Sequence, residues 1–200
     1  MALLNRRRRC RRGPLPPPRA ALLVLAAWLP ARALHAQALG GTLEYQVKAA
    51  YLLNFTRYVE WPEQAFTSPT APIDICVLGT DPFGGALEQA VAGRVTRGRP
   101  LIVQVKRSAS EARYCPVVFV PGAVWRRSPG LLEQLRGHGV LTIGESEAFA
   151  RAGGIIGLVI EDGSVRFVVN LDARDRAGLR ISSRMLALAA DLYGGERVRP

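Results

Sequence analysis

Six short apolar runs limit what this chain can fold into: Ile73 to Leu78, Leu101 to Val105, Val117 to Val120, Val140 to Ile143, Ile155 to Ile160 and Val165 to Val169. All are too short for independent helices, rich in branched residues and bounded by turn formers, which is how strands buried in a sheet read. Helix signals fall between them. Asp81 followed by Pro82 predicts a helix start that leads through Phe83 to Val91 and closes at Gly93. Arg94 to Pro100 reads as a loop, and Ser108 to Tyr114 as a short helical turn. Leu131, Leu132 and Leu135 mark a helix ending at Gly137-His138-Gly139, and Ser146 caps a brief helix carrying Phe149. The last two runs flank Glu161-Asp162-Gly163-Ser164, a hairpin signal. Asn170 opens a final helical stretch, broken near Gly178 and restarted at Ser182 or Ser183 through Met185, Leu186, Leu188 and Leu192. Strands alternating with helices and closing in a hairpin predict an α/β fold. The expected architecture is one domain with a mixed, mostly parallel sheet of about six strands flanked by helices.

Ahead of the first run, Thr42 reads as the N-cap of a helix from Leu43 to about Glu60, stopped by Trp61-Pro62. Leu43, Val47, Ala50, Tyr51, Phe55, Tyr58 and Val59 recur at helical spacing, and Leu52 with Leu53 widens the stripe. Such a helix requires burial on more than one side. Residues 63–72, with Ser68-Pro69 and Ala71-Pro72, read as a loop.

The N-terminus reads as a secretory leader. Arg6, Arg7, Arg8, Arg9, Arg11, Arg12 and Arg19 precede an apolar run from Ala20 to Leu29 that is too short to span a bilayer. Alanine pairs at Ala31/Ala33 and Ala36/Ala38 suit a signal peptidase, so residues 1–38 are expected to be cleaved near Ala36 or Ala38, leaving 39–200 as the working domain. Gly13-Pro14 after Arg11-Arg12 argues against twin-arginine export, and Cys10 lies before the apolar run, where no lipobox is formed. Cleavage removes eight arginines and no acid, so the formal charge of +11 falls to +3. Nucleic-acid binding therefore loses its support, because counterion release requires a dense basic surface. Only His138, Cys76 and Cys115 remain of their kinds.

Lys48-Ala49-Ala50-Tyr51-Leu52-Leu53-Asn54-Phe55-Thr56-Arg57-Tyr58-Val59-Glu60-Trp61-Pro62 resembles the opening helix of the YfiR family of periplasmic regulators. Further segments agree in order: Ile75 to Gly79 with Asp81-Pro82-Phe83, Arg99-Pro100, Gly153 to Ile156 with Arg166 to Asn170, and Gly178 to Ser183 with Leu186. The resemblance spans roughly residues 43–190. It implies an exported, often dimeric α/β domain with no enzymatic activity of its own. Such a protein binds the periplasmic sensing domain of an inner-membrane diguanylate cyclase and holds it inactive. An outer-membrane partner can sequester the regulator, releasing cyclic di-GMP synthesis and favouring biofilm growth. The later cysteine pair of YfiR is absent here.

Cys76 lies in an expected strand and Cys115 just before another. Either a disulfide or two buried thiols is compatible with that placement, and an oxidising compartment favours the bridge. Closing a loop of this length stabilises on the order of 4 kcal/mol in the chain-entropy description.

Few groups suit catalysis. Gly79 to Gly85 lies between strand and helix but lacks both phosphate-loop spacings, and Asp81 would repel a phosphate. His138 sits between glycines with no ligand-like neighbours, so neither a metal site nor a histidine-based triad is expected, and no cofactor is implied. Glu145/Glu147 and Asp172/Asp175 read as solvated turn and helix-start residues. Arg94, Arg97 and Arg99 form a basic loop, and Arg174, Arg176, Arg180 and Arg184 lose their helical register at Gly178. Trp125-Arg126-Arg127 has the composition of an interface anchor and is the expected partner contact. The competing expectation is a small-ligand binding protein or hydrolase with a cleft at the strand ends, where open α/β sheets bind ligands. A structural accessory of an envelope complex is the third.

Overall fold

A computed structural model describes residues 30–136 and 139–195, with side chains from residue 43 onward. The chain divides into residues 1–40 and 41–200. Of the first part only helical backbone from Pro30 is described, so the expected leader cleavage lies outside the described side chains, as does His138.

Helix α1 runs from Pro30 to Tyr58 rather than starting at Leu43, so Thr42 is internal to it and not at its start. The reason is propensity: Ala31, Ala33, Leu34, Ala36, Ala38 and Leu39 are strong helix formers and carry the helix upstream. Strand β1 (Val59–Glu60) follows directly, then a single 3-10 turn at Glu63–Ala65 and β2 (Ile73–Leu78). Helix α2 covers only Ala86–Val91. Asp81 does not cap it; its Oδ1 instead accepts the Phe83 N–H at 2.9 Å in a local turn. Gly84 and Gly85, at φ +57° and +88°, hold the chain in the left-handed region and delay the helix.

The stretch read as a loop before the second run is a small hairpin, β3 (Val95–Thr96) against β4 (Arg99–Lys106). Arg97 and Gly98 both have positive φ, 52° and 78°, as a two-residue hairpin turn requires. Next come α3 (Ala109–Ala112), β5 (Val117–Val120), α4 (Gly122–Trp125), α5 (Leu131–Leu135), β6 (Leu141–Gly144) and α6 (Glu147–Arg151). Ser108 and Ser146 cap their helices, accepting the N–H of Glu111 and Phe149. The hairpin is β7 (Ile156–Glu161) with β8 (Ser164–Asn170), and Asn170 caps α7 (Leu171–Arg176) through the Ala173 N–H. After β9 (Arg180–Ile181), helix α8 is limited to Ser183–Leu186, and Asp191–Tyr193 forms strand β10 where continued helix was expected. Pairing to β8 supplies the backbone partners that decide it, a tertiary effect that local sequence does not carry.

Among the described residues the main sheet has eight strands in the order β10-β8-β7-β6-β5-β2-β4-β3, and β1 pairs with β9 in a separate ribbon. Five central strands, β4, β2, β5, β6 and β7, are mutually parallel. The two strands beyond the expected six are the short β3 and β10 at the edges. Alternation sorts the side chains between two faces. Ile75, Val77, Val117 and Phe119 face a core completed by Leu52 and Phe55 of α1, while Cys76, Leu78, Val118 and Val120 face α3, α5 and Phe149. The fold is thus a mixed α/β sheet with helices on both faces.

Candidate functional site

Strand β2 has β4 on one side and β5 on the other. The chain leaves β2 outward to β4, then crosses back to β5, so the connections at the carboxyl ends diverge and open a crevice between them. That crevice measures about 470 Å³. Thr80 and Pro82 after β2, Pro121, Gly122 and Arg126 after β5, and Glu145 after β6 form one side; Glu44, Tyr45 and Lys48 of α1 form the other.

Its floor is a charged cluster. Lys48 is 4% exposed and pairs with Glu44 one turn earlier on α1. Its Nζ also donates to Glu145 Oε1 at 2.5 Å, and the second oxygen of Glu145 accepts the Gly122 N–H at 2.7 Å. The Lys48 ammonium lies 4.5 Å from the Tyr45 ring centroid, and that ring packs edge-on against Phe83. Burial first, then the negative charge and hydrogen bond of Glu145, hold the Tyr45 phenol well above its usual range, so it keeps its proton. These groups are spent on one another: the buried ammonium has two carboxylates, and one of those has a backbone donor as well. Such mutual satisfaction is what a buried charge requires to persist, and it welds α1 to the ends of β5 and β6.

Glu145 is therefore not the solvated turn residue expected; its side chain is 12% exposed and serves the cluster. Glu147 does lie at an exposed helix start, paired with Arg151. Lys48 was the residue sequence reasoning missed. Its signal was present, a lysine one turn after Glu44 in a helix whose neighbouring positions Ala49 and Leu52 are buried.

The expected partner contact is split by the structure. Trp125 is half-buried, with its ring centroid 5.3 Å from that of Phe149 in edge-on contact, so its body belongs to the packing of the second core. Arg126 and Arg127 are exposed, and Arg126 stands on the crevice rim. Neither forms an ion pair among the described residues. The residue picked out for partner binding and the cleft picked out for ligand binding thus meet at one place.

Cys76 and Cys115 are joined by a disulfide with Cα atoms 6.1 Å apart, both residues nearly fully buried. It ties β2 to the segment two residues ahead of β5. In the basic loop, Arg97 pairs with Glu60 at 3.0 Å, and Arg99 donates to the Ser68 and Ala71 carbonyls while lying 3.7 Å over the Phe66 ring. A larger hollow of about 600 Å³ is lined by Pro62, Gln64, Phe66, Tyr114, Asp175 and Arg176 among others. Among the described residues no group of three or more His, Cys, Asp or Glu is placed to hold a metal ion.

Two solved structures are similar in part. A conserved domain protein from Vibrio cholerae O1 biovar El Tor strain N16961 matches at 12% identity and TM-score 0.43, over 60% of this chain and 54% of its own. An ABC domain from Streptococcus pneumonia, solved in complex with L-Trp, matches at 13% identity and TM-score 0.42, over 64% of this chain and 57% of its own. The chain spans just over half the length of each. A family model described as YfiR/HmsC-like matches residues 45–190, from within α1 to the residue before β10. The chain belongs to the YfiR/HmsC-like family, whose members are periplasmic proteins known for regulation rather than catalysis.

Proposed function

We propose that this chain is exported by a leader cleaved near residue 38 and that the remaining domain represses an inner-membrane diguanylate cyclase by binding its periplasmic sensing domain. The observation that carries the reading is the family match across residues 45–190, which includes α1 from Tyr45 onward, every strand of the main sheet except β10 (Asp191–Tyr193), and both cysteines. The repressor acts by population: bound, it favours the inactive arrangement of the sensor, and removal by an outer-membrane competitor frees the enzyme. Arg126 and Arg127, exposed beside the packed Trp125, supply the contact. Arginine beside a rigid aromatic is a composition enriched in binding hot spots.

One observation favours a second reading, small-ligand binding in the crevice, because open α/β sheets take ligands at this position. The mutual pairing of Lys48, Glu44 and Glu145 argues against it, since those groups are already engaged. Deletion of the chain in cells expressing the partner cyclase raises cyclic di-GMP, and Arg126→Glu with Arg127→Glu reproduces the rise at unchanged protein level. Unchanged cyclic di-GMP on deletion sinks the repressor reading.

A further inference from the structure

The edge of the main sheet next to β3 is incompletely covered. Strand β3 pairs only with Arg99 and Pro100, and beyond that ladder the Leu101 N–H donates to the Arg94 carbonyl at 3.2 Å. Leu101 therefore turns its backbone outward. On the inner side, the Gly79 N–H donates to the Lys106 carbonyl, so Lys106 turns inward towards β2. The twofold alternation of a strand then assigns Ile102, Gln104 and Lys106 to the β2 ladder and leaves the N–H and C=O of Val103 and Val105 on the outer edge. Among the described residues no strand pairs with that edge.

Sheet edges in soluble proteins are usually blunted by an inward charge, a proline or a bulge. From Leu101 to Val105 this edge has none of these: the sequence is Leu-Ile-Val-Gln-Val. Val95, Ile102 and Val105 expose 62%, 42% and 51% of their surface along it. Cations outnumber acids at the flanks, where one carboxylate, that of Glu111, accepts the Arg107 N–H at 3.2 Å. Arg94 lies at one end and Lys106 with Arg107 at the other, and none of the three forms an ion pair among the described residues. Arg99 is held by neutral carbonyls and a ring, which leaves its charge uncancelled.

That distribution decides the occupant. A second copy added antiparallel about Val103 would bring its Lys106 opposite Pro100, where β3 already occupies the edge, and would crowd its Lys106 and Arg107 onto the end that carries Arg94. We infer that the edge of β4 from Leu101 to Lys106 is a docking site for an extended segment of a partner protein, with an apolar centre and acidic flanks, added to the sheet as a strand. Main-chain bonds to Val103 and Val105 supply affinity, and the cationic flanks supply selection and register. The inference rests on the reading of the chain as a protein-binding regulator, but it places a contact on β4, away from Arg126 at the end of α4.

The test uses the whole purified chain and two blocked peptides, Glu-Glu-Val-Thr-Val-Thr-Val-Glu-Glu and the same sequence with lysine for glutamate. The glutamate peptide shifts the amide resonances of Val103 and Val105, and its affinity falls with added salt. Val105→Pro removes an outward N–H and leaves the inner ladder whole; it weakens the peptide by about tenfold or more. Lys106→Glu with Arg107→Glu, which alters no backbone group, does the same and reports independently should the proline variant fail to fold. Equal binding of the lysine peptide, no shift at Val103 and Val105, or a dimer in sedimentation that Val105→Pro dissociates each overturns the inference, the last by seating a second copy there. Peptide binding without effect of the chain on cellular cyclic di-GMP refutes the cyclase reading alone. Repression without peptide binding refutes the edge site alone.

Discussion

Lys48 Nζ sits 2.5 Å from Glu145 Oε1 across 97 residues of sequence, joining the N-terminal helix to the end of the fourth parallel strand. With Glu44, whose side chain is 36% exposed, it forms a triad centred on the buried ammonium. Removing a single partner from such a group leaves an uncompensated charge. Lys48→Met strands the Glu145 carboxylate, whose side chain is 12% exposed, and costs about 3 kcal/mol. Lys48→Met combined with Glu145→Gln recovers much of that loss, because the orphaned charge beside Gly122 goes with it. Urea denaturation of the single and double variants checks both statements.

The disulfide joins residues 39 apart in sequence and staples β2 to the entry of β5. Cys76→Ala with Cys115→Ala loses this constraint on the unfolded chain, for a cost of about 2–5 kcal/mol. Both sites are sealed in the core, so a mild reductant leaves the folded protein unchanged and acts only once the chain has opened. Thiol labelling of native and denatured protein, with and without reductant, reads the difference.

Phe149 lies flat against two glycines. A Cβ built on Gly154 meets its ring at 2.1 Å and one built on Gly144 at 2.2 Å, while Trp125 closes the remaining edge. Gly154→Ala and Gly144→Ala each displace the ring, with an expected cost of about 1–3 kcal/mol from overpacking. Combining Gly154→Ala with Phe149→Leu costs less than the sum of the two, since the smaller side chain vacates the clash. Trp125 fluorescence reports ring displacement directly, and denaturant midpoints give the energies.

Tyr193 of the last strand donates to Glu147 Oε1 at 2.5 Å, and burial with that hydrogen bond pushes its phenol up to about 12. The protonated form is the one the fold favours. Between the unfolded value of 10.0 and the folded value of about 12, the native state retains a proton that the unfolded state releases, so stability falls as pH rises through this window. Below it the contribution is complete. A near-ultraviolet phenolate titration shows a late step close to pH 12, and Tyr193→Phe removes that step and flattens the alkaline loss of thermal stability.

Much of the fold was legible because its signals are local. Ser108, Ser146 and Asn170 cap their helices through their own side chains, and Asp162-Gly163 turns the hairpin, all within four residues of chain. The site was less legible. Trp125-Arg126-Arg127 stood out by composition, yet the structure packs the tryptophan and exposes the arginines, a division set by Phe149 three elements later. Glu145 read as a solvated turn residue because its partner lies in α1, far away in sequence.

The sequence by itself determined the central parallel strands, the closing hairpin and the family, since each rests on short-range periodicity or on motifs in fixed order. Tertiary structure alone decided that β10 is a strand, that the sheet order reverses at β2, and that Lys48, Glu44 and Glu145 meet there. The physical reason is one of range. Caps, turns and alternation are settled by neighbours in the chain, whereas a backbone partner or a counter-charge brought from a distant element becomes available only after the sheet has formed.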